Sequence, residues 1–99
     1  MAPKRVEFHE EAALEMLSAI HWYFLRNKEV ASRFAKEITR AVELIVEAPK
    51  RWPSYSRETR KFVLRQFPFL LIYRELTDVI QILAVAHSHR RPGYWKHLR

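Results

Sequence analysis

The feature that most constrains this chain is a change of hydrophobic period near Pro49 and Pro53. Upstream, apolar residues recur every three or four positions; downstream they alternate or run on, as strands require. The acidic His9-Glu10-Glu11 opens a helix, because carboxylates in a first turn suit the positive end of the macrodipole. Ala13, Leu14, Leu17, Ile20, Phe24 and Leu25 predict its core-facing stripe, as far as about Arg26. After Asn27 and Lys28 the pattern resumes with Ala31, Phe34, Ala35, Ile38, Ala41, Val42 and Ile45. So short a break predicts a helical hairpin. The two prolines end it, each lacking an amide proton and restricting the residue before it.

Strands flank the hairpin. Arg5 to His9 predicts one, and Lys61 to Arg65, Phe69 to Glu75 and Val79 to His87 predict three more, joined by short connections. The expected fold class is α+β: a small antiparallel sheet built as a strand, a helical hairpin and a three-strand meander, with both helices on one face. Ninety-nine residues make one domain, 1–99. Strict alternation puts Ile80, Ile82, Ala84 and Ala86 under the helices, and Lys61, Arg65, Gln81 and His87 on the uncovered face.

Charge is distributed unevenly. The formal net charge is +7; residues 1–50 carry eight Lys/Arg and eight Asp/Glu, residues 51–99 ten and three. The excess therefore belongs to the meander half, a field that draws nucleic acid or acidic protein segments. With no cysteine, disulfides and thiolate metal sites are excluded, which suits a reducing cytoplasm. The N-terminus lacks an apolar signal region and no stretch has membrane-spanning length, so a cytoplasmic address and no membrane partner are expected.

The residue types needed for metal-free RNA cleavage are present: His87 or His89 for proton transfer, Arg65 and Arg90 to hold a phosphate. His87-x-His89 with His97 offers imidazoles for zinc, but no carboxylate lies nearby to complete the set, and no metal or other cofactor is expected. Asp78 is the one aspartate and falls in a hairpin turn, which excludes a Ser-His-Asp triad; a single glycine excludes a phosphate-cradling loop. Tyr94 and Trp95, beside the basic cluster, are the aromatic candidates for contact with a target, or else a turn that tucks Trp95 onto the sheet.

The hairpin segment from His21 to Pro53, Phe67-Pro68-Phe69 before a strand ending in Tyr73-Arg74, and the closing AVAHSHRRPGYW together resemble the RelE/ParE superfamily of toxins from bacterial type II toxin–antitoxin modules. The resemblance covers nearly the whole chain. It implies a toxin neutralised by a cognate antitoxin encoded beside it, acidic and able to fold on binding. RelE-like members cut mRNA on the ribosome; there Arg65, His87, Arg90 and Tyr94 would be the catalytic set. ParE-like members poison DNA gyrase; there Arg60, Lys61, Arg90, Arg91, Tyr94 and Trp95 would contact the target. Trp22-Tyr23, Pro49-x-x-Trp52-Pro53 and the Ala-His-x-x-Arg-Arg ending favour the ParE-like branch. The alternatives are the ribosome-dependent endoribonuclease and a non-catalytic nucleic-acid-binding module.

Overall fold

A computed structural model of the chain describes residues 4–88, in the order β1 (Arg5–Phe8), α1 (Glu10–Arg26), α2 (Lys28–Glu47), β2 (Arg60–Val63), β3 (Phe69–Glu75) and β4 (Val79–His87). His9 turns the chain from sheet to helix: its amide donates to the Ile82 carbonyl at 2.8 Å, and its Nδ1 accepts from the Glu11 amide at 3.2 Å as the α1 cap. Asn27 forms the hairpin joint alone. Its amide donates to Tyr23 O at 2.7 Å, closing α1, while its side-chain oxygen accepts from the amides of Glu29 (2.9 Å) and Val30 (3.2 Å), opening α2.

The sheet order is β1-β4-β3-β2. β2, β3 and β4 form the expected antiparallel meander, but β1 pairs parallel to β4, so the sheet is mixed rather than wholly antiparallel. The helices and the 48–59 loop return the chain so that β2 starts in the direction of β1, and two reversals later β4 runs that way again.

Side-chain parity departs from strict alternation at one place. Ile72 pairs with Ala84 but Tyr73 with Ile82, so Leu83 is an extra residue, a β-bulge. Ile80 and Ile82 lie in the helix-side core as expected; beyond the bulge Val85 takes that side, with Leu71, and Ala84 turns to the other face with Ile72 and Leu83. The expectation of Ala84 and Ala86 under the helices is therefore corrected. One inserted residue exchanges every later side chain between faces.

The stripe expected to bury α1 is also corrected. Leu14, Leu17, Phe24 and Leu25 are 54–67% exposed, whereas Ala12 and Ala19 are buried, with Met16, Ile20 and Tyr23 packed beside them. Methyl-sized residues let the helix axis approach the sheet, and the bulkier residues are left facing outward. α2 matches the reading: Ala31, Phe34, Ile38, Ala41 and Ile45 are buried on one face.

Phe67-Pro68-Phe69 docks hairpin to meander. Phe67 and Phe69 each meet Phe34 at 5.1 Å between ring centroids, and Tyr23 lies 5.2 Å from Phe67. The turn leading into this motif is held from α2, where Glu37 accepts from the amides of Arg65 (2.6 Å) and Gln66 (3.1 Å).

Candidate functional site

A groove of about 860 Å³ lies between α1 and the end of the sheet where β3 begins and β4 finishes. Leu14, Ser18 and Trp22 of α1 form one wall with Glu11 and Glu15; Pro68, Phe69, Val85 and His87 form the other, and Ala19 and Tyr23 also line it. Three local facts build it. The alanine at 19 brings α1 close to the sheet, the bulge at Leu83 turns Val85 toward the helices, and Glu15 accepts the Val85 amide at 3.0 Å. Trp22 is 51% exposed, and the Arg26 guanidinium lies 3.6 Å from its ring centroid, a cation–π contact. A groove with exposed Leu14 and Trp22 and carboxylates on one wall suits an amphipathic protein segment.

His87 does not lie with Lys61 and Gln81 as strict alternation predicts. It lines the helix-side groove, with its ring 5.1 Å from that of Phe69. Lys61 does face the other side, its Nζ 5.4 Å from the Tyr55 ring centroid. On that face Arg74 donates to Gln81 at 2.8 Å and Gln81 to Glu7 at 3.3 Å, a polar row crossing β3, β4 and β1. Beside the row Ile72, Leu83 and Ala84 are fully buried, with Tyr55 and Leu70 packed against them.

Arg60 belongs to neither surface. Its guanidinium donates to the Trp52 carbonyl at 2.7 Å, fixing the 48–59 loop, while the Tyr73 hydroxyl donates to Pro49 O at 2.6 Å in the same loop. Burial pushes the Tyr73 hydroxyl up to about 12, opposed by the charge of Arg60 and reinforced by that of Glu75. Glu75 is itself held below the usual carboxylate range by hydrogen bonds from Lys4 (2.9 Å) and Lys50 (3.0 Å).

Arg65 is exposed in the turn after β2, at the end of the sheet where His87 lies. Arg90, Arg91, Tyr94 and Trp95 lie outside the described residues, as do His89 and His97. The basic candidates among the described residues thus divide between Lys61 on one sheet face, His87 on the other, Arg65 in a turn and Arg60 on the 48–59 loop. Among the described residues, no cluster of three His, Asp or Glu could hold a metal ion, and no helix is long and apolar enough to cross a membrane.

Sequence reasoning missed the groove and the two carboxylates that shape its surroundings, Glu15 and Glu37. Both sit on helix faces where a glutamate reads as solvated, and nothing local marks them as acceptors for strand or turn amides. Trp22 could have been found, since it lies off the expected stripe of its helix.

Comparison with known proteins agrees with this architecture. Residues 6–92 match a family described as the ParE toxin of the type II toxin–antitoxin system, parDE. A Sinorhizobium fredii protein with the provisional name toxin Y4kP is 32% identical over 93 residues, covering 92% of this chain and 95% of its own. A solved chain from the chromosomal ParDE toxin–antitoxin system of P. aeruginosa superposes with a TM-score of 0.74 at 20% identity, covering 85% of this chain and 95% of that one. At that identity the structural likeness concerns the fold.

Proposed function

The chain belongs to the ParE toxin family of type II toxin–antitoxin systems, and on that premise we propose that a cognate antitoxin neutralises it from the α1 groove and that the released toxin inhibits DNA gyrase. The family implies an antitoxin partner. The groove fits a helical or extended segment whose apolar side chains enter between Leu14, Trp22 and Phe69.

The observation that carries the choice of target is the match of residues 6–92 to the ParE toxin family, the branch whose resemblance implies gyrase as target. A metal-free nuclease needs its base, its acid and its phosphate-holding cations within hydrogen-bond reach of one phosphodiester. Of the residues such a nuclease would use, those described are Arg65, exposed in the turn after β2, and His87, which lines the groove at the same end of the sheet with its ring against Phe69. The choice between binding and cutting therefore rests on the family match.

The test is supercoiling by purified gyrase with the purified chain added. Inhibition is expected, with mRNA left intact in a translating extract. Unchanged supercoiling at large molar excess, together with cleavage of translated mRNA, would reverse the assignment. Trp22→Glu should weaken antitoxin binding without relieving gyrase inhibition; undiminished antitoxin binding would move the antitoxin site elsewhere.

A further inference from the structure

The outward side of α1 is a second apolar surface. Leu14, Leu17, His21 and Phe24 follow one another at spacings of three, four and three, with Leu25 beside them, and all five are exposed. This spacing is that of a helix–helix seam. Leu17, Phe24 and Leu25 do not line the groove, so a groove occupant does not account for them. With Leu14, which also borders the groove, they leave on the order of several hundred Å² of side-chain surface in water, the size of the largest and often functional patch of a monomer.

We propose that this face is a self-association surface, occupied by the same face of a second copy of the chain lying antiparallel. The charges at the two ends of α1 select this occupant and this direction. Glu10 and Glu11 occupy the first turn, Arg26 the last, and Lys28 follows at once; all four are exposed. A parallel pair would set carboxylates against carboxylates. An antiparallel pair sets the acidic end of each helix against the basic end of the other, twice by symmetry. With the axis midway along α1, Leu14 meets the partner's Phe24 and Leu17 meets the partner's His21, so the apolar centre closes as the charged ends pair. A 17-residue helix is about 25 Å long, and with the flanking charged residues it can bury an area near the low end of specific interfaces.

Light scattering and sedimentation equilibrium on the purified chain across the micromolar range should show a monomer–dimer equilibrium, weakened about tenfold or more by Leu17→Glu. Leu17 is exposed, so this variant should keep the wild-type circular dichroism and melting behaviour. A chain without cysteine permits a second, independent measurement. On oxidation, a mixture of Leu14→Cys and Phe24→Cys chains should cross-link to a heterodimer, while each alone should not cross-link to itself. A monomer throughout the range, a dimer indifferent to Leu17→Glu, or Leu14→Cys cross-linking with itself would each overturn the proposal.

Discussion

The Glu15 carboxylate accepts the Val85 amide at 3.0 Å, at the place where β4 runs on past the end of β1. β1 stops at Phe8, opposite Ile82, and the His9 amide takes the Ile82 carbonyl; beyond that point the β4 edge needs acceptors from elsewhere. A helix residue supplies one, which ties α1 to the sheet and sets the width of the groove.

Glu15→Ala should therefore cost about 1–3 kcal/mol, the range for leaving a partly buried amide without its acceptor. Denaturant unfolding measures this, and hydrogen exchange should show the Val85 amide losing protection ahead of its neighbours. Glu15→Gln keeps an acceptor and should lose less. Equal losses in the two variants would mean that charge, not the hydrogen bond, supplies the stability.

Arg60 and Lys61 are adjacent in sequence and should behave oppositely. Arg60→Ala removes the donor to Trp52 O and loosens the 48–59 loop, costing about 1–3 kcal/mol. Lys61→Ala removes a cation from the opposite face and should change stability by about 0.5 kcal/mol or less. If the sheet face that carries Lys61 contacts gyrase, Lys61→Ala lowers inhibition of supercoiling at unchanged melting temperature. Chemical denaturation alongside the supercoiling assay separates the two effects.

The elements were legible because each rests on local chemistry: the carboxylates at His9-Glu10-Glu11, the prolines at 49 and 53, and the change of period between them. The β3 and β4 ranges match the reading at both ends. The faces were less legible. No residue type announces the extra residue at Leu83, yet it alone moves His87 from the expected face to the groove. In α1 the pattern of large apolar residues pointed outward because the core side is built on Ala12 and Ala19, which a hydrophobic count weights least. The parallel pairing of β1 depends on the path through the 48–59 loop, which periodicity does not encode.

Phe34 is the buried centre of the aromatic group that joins the hairpin to the Phe67-Pro68-Phe69 turn. Phe34→Ala should cost about 3–5 kcal/mol through lost burial and the cavity left behind. That is a large share of the roughly 5–15 kcal/mol available to a domain. Phe67 is half-buried and Phe67→Ala should cost less, so the ratio of the two losses in urea titrations reports how far the turn depends on the hairpin. A larger loss at Phe67 would place the centre of the cluster in the turn.

Tyr73 gives the fold an alkaline limit. Its ring is fully buried, its hydroxyl donates to Pro49 O, and burial holds the group near 12 against about 10 in an unfolded chain. Between those values the unfolded chain has released the proton and the folded chain has not, so unfolding gains free energy as pH rises. The contribution of Tyr73 is complete below pH of about 10 and is lost progressively toward 12, on the order of 2–3 kcal/mol in all. Tyr73→Phe should lose about 1 kcal/mol at neutral pH with the hydrogen bond, and should then fall less steeply than wild type above pH of about 10. Stability measured by denaturant at several alkaline pH values gives the difference directly, since other groups contribute equally to both proteins. Curves that stay parallel through this window would show that the Tyr73 hydroxyl ionises as readily in the fold as outside it.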